Sequence, residues 1–261
     1  MFSSYAELTQ ATVPRGGAVA VIPLGAVESH GPHLPLGTDG LIATGLLDRA
    51  AQLDRSDTPI VRLPLMWLGA SAEHAGHPGT LSQEPEALIA QIVAAGQGLA
   101  AAGIDRVVLF NAHGGNVAAA SIAALKLRTR FGLLAASVHW CDFGLPATVV
   151  PPTPAVDDVH GGWMETSILL HLVPHLVASD ARAARPAAPP SPLLFPQGPV
   201  QWGWTVDDLT RPDSAAGGWI GRPDLATADL GAALVDHAAR SLIRLLHDLA
   251  KADWPRSGGP G

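Results

Sequence analysis

Glu28, His30 and Asp39 fall within a dozen residues of one another in the segment VIPLGAVESHGPHLPLGTD. A carboxylate and an imidazole that converge on one point are the donors selected by Zn²⁺ or Mn²⁺. Glu28 and His30 are two apart, so in an extended segment their side chains leave the same face. The alternative for this segment alone is an acidic loop with a solvent-facing histidine. Two later stretches add donors of the same kind. NAHGGN, residues 111–116, carries His113 beside two glycines that permit a tight turn and close backbone approach. A glycine-rich turn between strand and helix also admits phosphate binding, but NAHGGN matches neither the dinucleotide fingerprint nor the P-loop pattern. DDVHGGWMETS, residues 157–167, carries His160 and Glu165. Glu165 opens a predicted helix, where metal ligation and a carboxylate favoured by the helix dipole are both open.

Together Glu28, His30, Asp39, His113 and Glu165 supply two imidazoles and three carboxylates, enough for two divalent ions if one carboxylate bridges. Ions about 3.5–4 Å apart activate a water and polarise a carbonyl. Such chemistry needs a further group to carry a proton to the leaving nitrogen, and His160 is the candidate. Glu73 and His74 lie in EHAGHPGTLS, a loop expected to rim the pocket, and could bind substrate or make structural hydrogen bonds. His33 reads as a structural neighbour of the ligand loop. Ser71 and Ser82 have no partner base evident in the sequence, which leaves serine-hydrolase chemistry with little support.

Strand ends must deliver these groups. The apolar run Ala18–Leu24 predicts a buried strand, so the loop from Gly25 to Asp39 leaves a sheet at its C-terminal edge, where open α/β sheets place their chemistry. Helical spacing follows over Gly40–Gln52, then a second strand over Ile60–Leu68 with Pro64 as a bulge or edge marker. A long helix is expected over Glu84–Ala102, stopped by Gly103. A short central strand, Arg106–Phe110, precedes NAHGGN and a helix over Val117–Thr129. Gly132–Val138 reads as a strand, Met164–Leu172 as a helix ended by Pro174, and Leu225–Leu249 as a closing helix. This alternation predicts a mainly parallel sheet covered on both faces. The Pro-rich stretch Ala183–Val200 reads as an irregular excursion.

With 48% hydrophobic and 15% charged residues, the composition suits a well-buried α/β enzyme rather than a disordered chain. A net charge of −7 without a basic stripe argues against nucleic-acid binding. The single cysteine, Cys141, rules out an intrachain disulfide and reads as a packing residue. Neither a signal peptide nor a membrane-length apolar run is seen, so the expectation is a cytoplasmic, non-membrane protein.

The segments GAVESHGPHLPLGTD, EHAGHPGTLS, NAHGGN, HGGWMETS, WTVDDLT and GRPDLATADLG, in this order, resemble the creatininase family of metal-dependent amidohydrolases. The resemblance implies one three-layer α/β/α domain, here residues 1–254, while the tail PRSGGPG at 255–261 reads as disordered from its position and composition. It also implies a homo-oligomer, a hexamer in most members. Glu28, His30, Asp39 and His113 fall on the family's metal positions, with Asp39 as the bridge. Creatininase proper has an aromatic residue and then a glutamate after the histidine matching His113, where this chain has Gly114 and Gly115. Glu165 is the expected replacement ligand. Creatininase also has a glutamate where this chain has Val159, so creatinine itself is disfavoured as substrate. The HGGN form looks more like the branch that includes the mycofactocin-system peptidase and formamide hydrolases.

The resulting expectation is hydrolysis of an amide, cyclic amide or formamide C–N bond of a small molecule by a metal-activated water. It calls for two divalent ions, Zn²⁺ or Mn²⁺, with Fe²⁺ as a further option. The alternatives are a mycofactocin-type precursor-peptide peptidase and a non-catalytic ligand-binding module using the NAHGGN turn.

Overall fold

The computed structural model describes residues 2–14, 16–154, 158–191, 193–196, 200, 202–210 and 217–254. The tail at 255–261, expected to be disordered, lies outside them. Among the described residues five strands form one sheet: β1 (Phe2–Ser4), β2 (Val19–Leu24), β3 (Ile60–Arg62), β4 (Arg106–Asn111) and β5 (Leu134–His139). Every pairing is parallel, and the order is β1-β3-β2-β4-β5. All six residues of β2 are buried, which is why it reads as an unbroken apolar run.

Helices α1 (Thr38–Leu53), α4 (Trp163–Leu172) and α5 (Ala228–Lys251) pack on one face, against Val19, Val21, Val108 and Phe110. Helices α2 (Pro85–Ala101) and α3 (Val117–Phe131) cover the other, against Ala20, Ile22, Val107 and Leu109. The three-layer α/β/α arrangement expected from the sequence is therefore present. Its important consequence lies at the centre. The chain leaves β2 toward α1 on one face and leaves β4 toward α3 on the other. Adjacent parallel strands whose connections diverge open a crevice at their C-terminal ends. Leu24 pairs with Asn111, so the Glu28 and His113 loops emerge side by side.

Three elements differ from expectation. The strand expected over Ile60–Leu68 ends at Arg62, leaving one bridge from Met66 to Leu24. Pro64 has no N–H to give the ladder, and the chain turns away. The edge strand β1 has no apolar signature and exists through its pairing with β3. The closing helix starts at Ala228 rather than Leu225, because the Thr227 hydroxyl accepts the Leu230 N–H at 3.2 Å and caps it there. Among the described residues no helix is long and apolar enough to cross a membrane.

The crevice is pinned by the two asparagines of NAHGGN. Asn111 Nδ2 donates to the His113 carbonyl at 2.6 Å and Asn111 Oδ1 accepts the His113 N–H at 3.1 Å, closing the turn. Asn116, fully buried, accepts the Ala70 N–H at 2.9 Å and donates to the Gly25 carbonyl at 3.0 Å. One side chain thus ties together the loops after β2, β3 and β4. Asn116→Ala leaves a buried N–H and a buried carbonyl unpaired, and should cost about 1–3 kcal/mol per orphaned group. Urea unfolding of the variant checks this; an unchanged midpoint would show that the clamp contributes nothing.

Candidate metal centre

Glu28 stands at the middle of the crevice with 0% of its surface exposed. Its backbone N–H donates to the Leu36 carbonyl at 3.0 Å, folding the loop back on itself. Glu28 and His30 converge on one point, as their spacing predicts, with His30 Nε2 4.0 Å from Glu28 Oε1. Asp39 arrives from the first turn of α1, His113 from the end of β4, and His160 and Glu165 from the segment entering α4.

Each of three histidines is oriented by a backbone carbonyl. The geometry makes His30 Nδ1 the donor to the Glu28 carbonyl at 3.1 Å, His113 Nε2 the donor to Ala70 at 2.9 Å, and His160 Nε2 the donor to Ser29 at 2.8 Å. The other ring nitrogen of each then faces the carboxylates and presents a lone pair once it is deprotonated, the arrangement in which metal-binding imidazoles are held. His30 Nε2 lies 3.2 Å from Asp39 Oδ1 and 4.0 Å from Glu28 Oε1. His113 Nδ1 lies 3.2 Å from Glu28 Oε1 and 3.4 Å from Asp39 Oδ2. His160 Nδ1 is 3.7 Å from Glu28 Oε1.

Three sets of donors each gather within 4.8 Å: Glu28, His30 and His160; Glu28, Glu73 and His113; and His30, Asp39 and Glu165. All five residues that the sequence offers as candidate ligands are thus brought together, along with His160 and Glu73. Glu165 is also held as a helix-entry carboxylate, since its Oε2 accepts the Gly161 N–H at 2.6 Å. The same side chain stands beside His30 and Asp39.

The electrostatics call for a cation. Glu28 Oε1 and Oε2 and Asp39 Oδ2 are buried without a hydrogen bond. Burial pushes the Glu28 carboxyl up, yet the charges of His113, His74 and His160 hold it well below its ordinary range. Burial lowers His30 and His113, but Asp39 and Glu28 respectively outweigh it and raise both imidazoles to about 10. Burial lifts the Glu165 carboxyl to about 7. In the metal-free chain, protons on His30 and His113 therefore balance the carboxylates. A divalent ion at the same point supplies that positive charge and suits the mixed nitrogen and oxygen donor set.

His74 lies deeper than its loop suggested. It is buried, with Nε2 at 3.5 Å from Glu28 Oε1, and its ring stacks 4.1 Å from that of His160, which stacks 4.1 Å from His30. The glycine and proline punctuation of EHAGHPGTLS gave the signal for a loop and hid the burial. Ser71 Oγ lies 3.2 Å from His113 Nε2, a partner not evident in the sequence. That nitrogen already donates to Ala70, so it is not a free base for a serine nucleophile. His33 is turned away, its Nε2 at 2.8 Å from the Gly161 carbonyl. Trp219 closes one side of the loop: a side chain at Gly31, where φ is +75°, would strike its ring, which requires glycine there.

The comparisons with known proteins identify the family. The sequence matches the family model described as "Creatininase: Creatinine amidohydrolase" over residues 3–246. It is 36% identical over 249 residues to the mycofactocin precursor peptide peptidase of Mycobacterium tuberculosis, covering 90% of this chain and 89% of that one. It is 30% identical over 209 residues to the creatinine amidohydrolase of Pseudomonas putida, covering 74% and 79% respectively. A crystal structure of creatinine amidohydrolase superposes with a TM-score of 0.72 at 24% identity, covering 95% of this chain and 98% of the other, which establishes the shared fold. The chain belongs to the creatininase family, whose members are hydrolases acting on amide bonds.

Proposed function

We propose that this protein is a metal-dependent amidohydrolase whose centre is held by Glu28, His30, Asp39, His113 and Glu165. The observation that carries the reading is the set of three buried carboxylate oxygens that have no hydrogen bond and face oriented imidazoles. Solved creatininase structures named for manganese and for a zinc–zinc form support a divalent ion of either kind. When bound, the metal supplies Lewis-acid polarisation of a carbonyl and a water of lowered pKa. Asp39 reaches both halves of the cluster, with Oδ1 toward His30 and Oδ2 toward His113, and so is placed to bridge.

His160 moves the proton. Its Nε2 is committed to Ser29, which leaves Nδ1 facing the crevice. Burial first, then the neighbouring His74 and His30, hold this imidazole well below its usual pKa. It is therefore neutral at pH 7, able to take a proton at Nδ1 and pass it to a departing nitrogen. Small-molecule amides, cyclic amides and formamides fit this chemistry. A second reading, trimming of a precursor peptide, is favoured by the 36% identity to peptidases over 249 residues. Side-by-side kcat/KM values for C-terminally extended peptides and for small amides decide between the two readings, the better substrate class naming the function.

Protein purified without chelator should hold about two divalent ions per chain, the number that makes a bridged pair. His113→Ala and Glu165→Ala should each hold fewer by mass spectrometry of total metal. A chelator should abolish amide cleavage and Zn²⁺ or Mn²⁺ restore it; cleavage indifferent to chelator would sink the mechanism.

His160→Ala should keep its metal and lose about 10²–10⁴-fold in kcat. Loss of metal together with activity would instead make His160 a ligand.

Metal binding should also release protons. At pH 8, above the unperturbed histidine value of 6.5 and below about 10, His30 and His113 are protonated in the metal-free chain. Ligation needs them neutral, so filling the centre displaces about two protons and affinity rises with pH. Calorimetry in buffers of different ionisation enthalpy measures this, and zero proton release would show that these imidazoles do not stand in for the cation.

A further inference from the structure

His30 and His160 are each followed by a glycine with positive φ, Gly31 at +75° and Gly161 at +62°, and their rings stack with centroids 4.1 Å apart. One turn follows β2 and the other precedes α4, yet the two abut: a Cβ built on Gly161 would lie 3.2 Å from the His30 carbonyl oxygen. Both turns meet the same side chain. A Cβ on Gly31 would lie 2.6 Å from Trp219 Cε3, and one on Gly161 would lie 2.9 Å from Trp219 Cβ. Glycine at both places lets the two turns close on that tryptophan.

Trp219 is itself fixed from outside the sheet. Its indole Nε1–H donates to the Ala183 carbonyl at 3.0 Å, the Arg185 guanidinium lies 5.2 Å from its ring, and the residue is buried. The next residue, Ile220, exchanges backbone hydrogen bonds with His160. The His160 N–H donates to the Ile220 carbonyl at 3.0 Å, and the Ile220 N–H donates to the His160 carbonyl at 2.7 Å. Ile220 is anchored in a small separate core with Val206 and Leu209. Trp219 and Ile220 therefore hold the His160 turn by its backbone, against the His30 turn. That contact matters because His160 reaches out of its own segment for its orienting carbonyl, Ser29 at 2.8 Å, the residue before His30. A hydrogen bond weakens steeply as its partners separate or tilt, and without it the His160 ring is free to turn or change tautomer. His30 takes its carbonyl, Glu28, from within its own loop and also faces Asp39.

We propose that Trp219 is a positioning residue for His160: wedged between Gly31 and Gly161, it fixes the spacing of the two histidine turns and so keeps His160 Nε2 on Ser29 and Nδ1 toward the crevice. This rests on the reading of His160 as the proton carrier. Trp219 touches no reacting atom in this role and acts through His160.

The test compares the full chain, purified without chelator, with Trp219→Leu, which loses the ring, and Trp219→Phe, which keeps Cβ and a ring beside Gly31 but loses the N–H. Three quantities are read in each. They are metal per chain, kcat and KM for the better of the two substrate classes above, and the rate at which diethyl pyrocarbonate modifies His160, followed by peptide mass spectrometry. His247 on α5 is the reference histidine, and melting curves confirm folding. We expect Trp219→Leu to keep its metal and KM and to lose about 10²-fold in kcat, the effect of misplacing a reacting group by about 1 Å. His160 should react several-fold faster with the reagent while His247 is unchanged. Trp219→Phe should fall between wild type and Trp219→Leu. If both variants keep the wild-type kcat and the wild-type reactivity of His160, the proposal is overturned. It is likewise overturned if kcat falls only together with loss of metal, or if His247 accelerates as much as His160, since either result means general loosening. If Trp219→Leu does not fold, Trp219→Phe is read against wild type by the same criteria. If wild type cleaves neither substrate class, or His160→Ala cleaves as well as wild type, the proton-carrier reading fails. The reactivity of His160 then still decides whether Trp219 positions it.

Discussion

Burying an ionised carboxylate without a hydrogen bond costs several kcal/mol unless a positive charge repays it. Glu28 is such a group, and it lies within 4.0 Å of four imidazoles. That one constraint organises the crevice. The histidines cannot face Glu28 with arbitrary nitrogens, so backbone carbonyls of Glu28, Ala70 and Ser29 each take one ring N–H and leave the other nitrogen for the centre. The carbonyls are in turn fixed by loops that leave β2 and β3 next to one another. The charge problem at Glu28 and the path of the backbone are thus two sides of one arrangement.

The sheet makes this arrangement affordable. A group of buried charges needs rigid walls, since small shifts would admit water or break the convergence of donors. β2 and β4 lie at the middle of the sheet, in register from Val19–Arg106 to Leu24–Asn111, with a helix-covered core on each face. Their connections diverge, and only there can side chains from two adjacent strand ends meet without blocking each other. Asn116 then fastens the third loop, carrying Ala70 to Glu73, to the same frame.

Much of this was legible in the sequence because it depends on local pattern. The buried run of β2, the two-residue spacing of Glu28 and His30, and the strand end before His113 are each fixed by residues close in the chain. What was hidden depends on residues far apart. β1 exists only by pairing with β3, and Pro64 cut short a strand whose apolar pattern runs on. His74 was read as a rim residue because its loop looks solvent-exposed. Its burial follows from the path of residues 69–83, which is set by contacts with Asn116, Val27 and Ser29 rather than by the loop's own composition. Ser71 gained its partner, His113, across 42 positions of sequence, a distance no pattern reading spans.

The position of Glu73 draws these threads together. A metal centre specifies where donor atoms stand and leaves open which backbone positions send them. When the turn after β4 is tightened to glycines, a carboxylate can no longer start from residue 115, but the charge balance around Glu28 and His113 is unchanged. The neighbouring loop, already tied to that turn through Asn116, is the nearest element able to deliver an oxygen to the vacated space. Motif matching by sequence position sees only glycine there, whereas the three-dimensional structure brings the Glu73 carboxylate beside His113 from another loop. The loop that carries Glu73 also carries His74 and continues to His77 beside Asp207, so one segment links the charge balance of the centre to the wall of the crevice.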